Sequence, residues 1–180
     1  MSDISSNNKR LAKNTILLYF RMIIIMGVTL FTSRVILRTL GVEDYGIYNV
    51  VGGIVAMFSF ISSSLTTASQ RYITFELGKG KDGNLSNVFS TCLTLHLILG
   101  IMVAVVVEPI GIWFINNKLM IPAERIGAAM WVFQFSILSM IVMFVSVPYN
   151  ALIVAHEKMN AFALVSIIDA GLRLGIAYSL

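Results

Sequence analysis

The sequence predicts an all-α integral membrane protein with about five transmembrane helices. Hydrophobic residues make up 57% of the 180-residue chain and charged residues only 12%, where an average soluble domain carries about a quarter. The charges also fall in short intervals between long uncharged runs. A soluble domain of this length has to cover itself with Lys, Arg, Asp and Glu, so hydrocarbon is the solvent that those runs fit.

A helical span needs ~20 predominantly apolar residues. The first, over about 15–36, begins near Thr15 after a cytoplasmic N-terminus (1–14) and contains Arg21, with Arg34 at its far end. A second, over 46–68, lies in the uncharged run Tyr45 to Gln70, and a third, over 86–108, follows the uncharged run Leu85 to Val107 and ends at Glu108. The fourth run, Ile126 to Ala155, exceeds one span and contains Pro148. Proline removes a backbone donor and clashes with the preceding turn, so the helix proper is expected over 126–147, ending or kinking there. The fifth, over 159–180, carries Asp169 and Arg173. Each such charge costs ~2.5–3.5 kcal/mol at mid-bilayer against ~0.3–0.6 gained per large apolar residue, so this helix needs bundle partners.

Lys9, Arg10 and Lys13 precede the first span as they would in a signal peptide, but the apolar stretch is long and no small-x-small cleavage site follows it. The short connections set the orientation. With the N-terminus inside, Lys9, Arg10, Lys13, Arg71, Lys79, Lys81 and Lys158 are cytoplasmic, against Arg34, Arg38, Lys118 and Arg125 outside, which favours that topology. Arg34 and Arg38 can there cap helix carbonyls or pair with Glu43 and Asp44. Trp113 and Trp131 flank the third connection at interface depth, as aromatic belts do.

Several function classes fall away. The formal charge is +4, but basic residues are scattered between apolar segments without a stripe of interleaved aromatics, which excludes a nucleic-acid interface and leaves anionic lipid head groups as partners. Cys92 has no partner for an internal disulfide and no metal-ligand spacing, so it reads as a small apolar residue, with no metal or cofactor implied. The run Leu77-Gly78-Lys79-Gly80-Lys81-Asp82-Gly83-Asn84 has Asn84 where a phosphate loop needs lysine. Asn84-Leu85-Ser86 matches a glycosylation acceptor, but in a loop expected to be cytoplasmic. No HExxH, GxSxG or paired aqueous carboxylates occur, so nothing points to an enzyme.

Ionisable groups inside a membrane are costly and are therefore the functional candidates. Arg21 lies ~9 Å from the start of helix 1, at 1.5 Å per residue. It either snorkels to the interface or grips a phosphate from within a cavity. Arg71 follows Ser62-Ser63-Ser64-Leu65-Thr66-Thr67-Ala68-Ser69-Gln70, whose hydroxyls should face other helices or water, either as close packing through small residues or as a wet cavity wall. Asp169 and Arg173, four apart on one face, can form an intramembrane ion pair. Gly171 and Gly175 have GxxxG spacing, which permits a neighbour to approach closely. His96 is either a bundle hydrogen-bonder or a proton relay.

Longer stretches carry a family resemblance. Asn14-Thr15-Ile16-Leu17-Leu18-Tyr19-Phe20-Arg21, Thr32-Ser33-Arg34-Val35, and Leu40-Gly41-Val42-Glu43-Asp44-Tyr45-Gly46-Ile47-Tyr48-Asn49 resemble the start of bacterial polysaccharide (O-antigen) flippases of the Wzx type. So do Ser69-Gln70-Arg71 with Phe75-Glu76-Leu77-Gly78, and Val147-Pro148-Tyr149-Asn150-Ala151 with Ala155-His156-Glu157-Lys158-Met159. Those flippases belong to the multidrug/oligosaccharidyl-lipid/polysaccharide (MATE-like) exporter superfamily, which folds as two helical bundles around a central cavity. The resemblance implies that this chain is an N-terminal fragment holding most of the first bundle, with its transmembrane domain (15–180) incomplete at the C-terminus. For the intact protein it implies movement of undecaprenyl-diphosphate-linked oligosaccharide across the bacterial cytoplasmic membrane, for lipopolysaccharide or capsule biosynthesis. Arg21 and Arg71 then become the expected diphosphate-binding residues, and the polysaccharide polymerase and assembly machinery the expected protein partners. A drug or cation exporter of the same superfamily would favour acidic groups, yet no acid lies between Leu11 and Val42. A non-transporting membrane scaffold is the remaining alternative.

Overall fold

The computed structural model describes residues 2–179. Met1 and Leu180, the ends of the expected N-terminal segment and fifth helix, lie outside the described residues, as do the side chains of residues 2–11, 13 and 59, among them Lys9, Arg10 and Lys13. The described residues form five α-helices and two short 3-10 turns, without strands. The helices are α1 (Ser2–Ala56), α2 (Ser59–Gly78), α3 (Leu85–Asn117), α4 (Ile126–Ala155) and α5 (Met159–Ser179). Four stretches are long and apolar enough to cross a membrane: Asn14–Ala56, Leu85–Asn117, Ala123–Ala155 and Met159–Ser179.

The second expected span differs most from its expected form. Its apolar first half continues α1, interrupted only at Gly41, where φ 77 and ψ 171 take the backbone out of the helix. That conformation suits a residue without Cβ. Glu43 and Asp44 follow at once and place negative charge on the first turn of the resumed helix, where exposed N–H groups attract it. The hydroxyl-rich second half belongs to α2, which starts beyond a turn at Met57 and Phe58 and extends to Gly78.

Neither internal proline ends a helix. Pro109 lies within α3, which continues past the expected boundary at 108, and Pro148 lies within α4, which does not end at 147. Where no water can satisfy backbone groups, leaving the helix strands several donors and acceptors, whereas passing through proline forfeits one bond.

The chain divides into two compact units, Met1–Val42 with His156–Leu180, and Glu43–Ala155. In the second, α3 and α4 pack antiparallel with small residues set against large ones. Gly111 lies against the ring of Phe133, so closely that a Cβ there would collide with it, and a Cβ on Gly100 would come 3.3 Å from that of Phe144. Phe133, Phe144, Val107 and Ile115 are fully buried in this seam, and Val51 and Val55 from the end of α1 join the same core. The buried face of α2 brings Ser62, Ser69 and Ile73 to the unit.

In the first unit, the buried positions of α5 are Ala163, Ala170 and Ala177, spaced by sevens on one stripe of small side chains. Gly171 and Gly175 lie off that stripe and nothing comes within 4 Å of a Cβ built on either. The close neighbour that their spacing permits is therefore not at that face.

Candidate functional site

Arg21 belongs to the first unit. Helix α1 presents it to α5, where its guanidinium carbon lies 4.3 Å from the centroid of the Phe162 ring. An aromatic face attracts a guanidinium through the ring quadrupole and leaves the N–H edges free to bind. The Nε of Arg21 is buried and has no hydrogen-bond partner among the described residues. An unsatisfied charged donor in a low-dielectric setting is costly. Thr32 Oγ1, on the same helix, is likewise buried without a partner.

Also in this unit, Arg173 Nε donates to Asp169 Oδ2 at 2.9 Å, one turn apart on α5. Both side chains are well exposed, 74% and 59%, so the pair neutralises two charges on an outer face of the helix.

Arg71 belongs to the second unit. It is exposed near the end of α2 and forms no ion pair or hydrogen bond among the described residues. The preceding hydroxyls divide into two sets. Ser63, Thr66 and Thr67 donate to carbonyls of their own helix, at 2.8, 2.8 and 3.3 Å, which satisfies a hydroxyl without water. Ser62 and Ser69 turn inward instead; the Ser62 hydroxyl has no partner, and that of Ser69 lies 3.4 Å from Nε2 of His96. His96 is buried on α3, and its Nδ1 lies 2.6 Å from the carbonyl of Cys92. That carbonyl can only accept, so Nδ1 carries the hydrogen and Nε2 faces Ser69.

A MatE family model matches residues 12–179, nearly the whole chain. The chain belongs to the MatE family. It is therefore a multi-pass membrane protein of a family of exporters and flippases, whose members are transporters and not enzymes. No curated protein and no solved structure matches it.

Three contacts of this MatE chain escape sequence reasoning. The first involves Glu43 and Asp44. Both bind Arg125, from the 3-10 turn before α4, whose guanidinium reaches Glu43 Oε2 at 3.1 Å and Asp44 Oδ1 at 2.5 Å. Packing within Glu43–Ala155 brings Arg125 to both acids. The second contact is Phe162 beneath Arg21, for which sequence spacing offers no signal. The third joins Glu108 on α3 to Gln134 on α4: the amide nitrogen of Gln134 donates to Glu108 Oε1 at 3.4 Å. A carboxylate directly after an uncharged apolar run, followed by Pro109 and further apolar residues, was the available signal.

The turn between α2 and α3 is held by Glu76. Its Oε1 accepts from the backbone N–H of Asn84 at 2.8 Å and its Oε2 from Lys79 Nζ at 2.9 Å. The Asn84 N–H, and after it Lys79, hold the Glu76 carboxyl below the usual carboxylate range. Asn84 in turn caps α3 by accepting from the N–H of Asn87, so the glycine- and lysine-rich loop is a helix-capping turn.

Proposed function

We propose that this MatE-family chain is part of a flippase that moves undecaprenyl-diphosphate-linked oligosaccharide from the inner to the outer leaflet of a bacterial cytoplasmic membrane, for cell-surface polysaccharide biosynthesis. The observation that carries the reading is Arg21, whose guanidinium rests on Phe162 while its Nε lacks a partner among the described residues. A diphosphate offers acceptor oxygens at the spacing a guanidinium edge matches, and the bond is strong where water is scarce. Arg71, exposed and unpaired among the described residues, is the second phosphate-binding position in this reading. The absence of acids between Leu11 and Val42 disfavours a cationic cargo along the first helix. The N-terminus is cytoplasmic in this scheme, and the polysaccharide polymerase and assembly machinery are the partners that receive the product.

A leaflet-specific assay of lipid-linked glycan, in a flippase-deficient strain carrying the intact protein, tests the reading. Arg21→Ala abolishes delivery to the outer leaflet, and Arg21→Lys retains part of it because the charge survives without the bidentate fork. Delivery at the wild-type rate by Arg21→Ala overturns the assignment. Arg71→Cys carrying a photo-crosslinker labels the lipid-linked glycan; labelling only of bulk phospholipid removes Arg71 from the site.

A further inference from the structure

We infer that Gly41 and Glu157 are paired pivots, about which Met1–Val42 with His156–Leu180 turns as one body against Glu43–Ala155. The first observation is where the chain passes between the two units. It does so twice, after Val42 and after Ala155. Among the described residues, positive φ occurs at Gly41, Gly80 and Glu157. Gly80 belongs to a turn inside the second unit, whereas Gly41 and Glu157 each lie within two residues of a crossing. The grouping of helices by packing and the conformation of the backbone are separate properties, and they coincide at both crossings.

The second observation is what the backbone does there. At Gly41, φ 77 and ψ 171 fall in a region that essentially only glycine occupies, so the helical path of α1 is broken at that residue. At Glu157, φ is 53, left-handed for a residue that has a Cβ, and such a conformation persists only where the flanking structure holds it. Short breaks of this kind absorb changes in φ and ψ while the helices on either side stay intact.

The third observation is that both sides of each pivot are fastened within their own unit. Before Gly41, α1 carries Arg21, which rests on Phe162 of α5 and ties the two helices of the first unit together. Beyond it, Glu43 and Asp44 hold Arg125. Ahead of Glu157, Val147 and Ala151 are buried in the second unit; after it, α5 begins at Met159 and soon brings Phe162 under Arg21. Gly41 lies twenty residues beyond Arg21 on α1, roughly 30 Å at 1.5 Å per residue, whereas Glu157 lies five residues before Phe162. The pivots are therefore at opposite ends of the first unit. A rigid body held at two separated points keeps one freedom, rotation about the line that joins them, and this rotation carries Arg21 and whatever it binds.

The test is double electron–electron resonance on the intact protein in lipid nanodiscs, with native cysteines replaced. Spin labels are attached at exposed positions, through Ile23→Cys and Ile176→Cys in the first unit and Met57→Cys and Met120→Cys in the second. Pairs within a unit give one narrow distance distribution. Pairs across units give a distribution at least about twice as wide, or two resolved distances, because hinged bodies exchange between orientations. Gly41→Ala cannot keep its backbone conformation, so it narrows or displaces the cross-unit distribution and leaves the within-unit ones as they were. Glu157→Val and Glu157→Gly remove the same charge, but only glycine accepts positive φ without strain, so Glu157→Gly retains the wild-type distribution and Glu157→Val shifts it. A wild-type cross-unit distribution as narrow as the within-unit pairs overturns the inference, and so do cross-unit distances that Gly41→Ala and Glu157→Val both leave unchanged. The wild-type widths are decisive even where a variant fails to insert. These distances need no cargo, so a failure here leaves the Arg21 reading standing, and glycan delivery by Arg21→Ala leaves the pivots standing.

Discussion

Helices α1 and α4 are both apolar enough to cross a membrane, yet they use their surfaces differently. A third (33%) of the most apolar stretch of α4 is buried, against none (0%) of that of α1. The large Phe133 and Phe144 of α4 lie against Gly111 and Gly100 of α3, so the buried seam interlocks by apolar shape. The first unit presents the opposite pattern: Arg21 over Phe162, unpartnered Thr32, and glycines facing open space. Tight packing fixes a scaffold, whereas unfilled polar valences on sparsely packed helices leave something for a ligand or partner to satisfy.

The strongest way to break this comparison is a pair of matched substitutions. Gly111→Leu drives a side chain into the Phe133 ring, and overpacking of that kind costs ~1–3 kcal/mol. Gly171→Leu meets only open space and stays within ~0.5 kcal/mol of wild type. Unfolding in mixed micelles measures both, and equal effects would erase the distinction between the units. A smaller effect sharpens it: Arg125→Gln removes the charge that ties Glu43 and Asp44 to the start of α4. Because all three side chains are at least a third exposed, the loss is on the order of 1 kcal/mol or less and shrinks further at high salt. Arg38→Gln, outside that network, leaves the melting temperature unchanged.

The smallest effect is local and pH-dependent. Glu76 has a carboxyl held below its ordinary range by the Asn84 N–H and Lys79. Its contribution to the α2–α3 turn is therefore complete above the unfolded carboxyl value and disappears as pH falls through the depressed one. Protection of the Asn84 amide from hydrogen exchange drops on acidification in the wild type. In Glu76→Gln it is weak throughout and insensitive to pH. A pH-independent wild-type amide would show that Glu76 does not hold the turn.

Much of this was legible in the residues themselves. Uncharged runs pointed to an all-α membrane protein, because hydrocarbon length and side-chain charge are properties of the chain alone. Helix ends were less legible at Pro109 and Pro148, since rules learned from water overstate how readily a membrane helix stops at proline. Long-range partners were the least legible. Arg125 is far from Glu43 and Asp44 in sequence, and only the packing of the second unit brings the three together. Glu108 marks the edge of an apolar run in the sequence, and only the fold sets the amide of Gln134 beside it.

The sequence by itself determined the solvent, the helical class and the family, because each depends on composition or on local runs of residues. Only the tertiary structure decided which polar groups meet: Arg21 with a ring and no acceptor, Arg125 with two acids, Glu108 with Gln134. The physical reason is that hydrophobicity is additive along a chain, whereas a hydrogen bond or ion pair needs two groups within about 3 Å, and only the packing of distant segments can supply the second one.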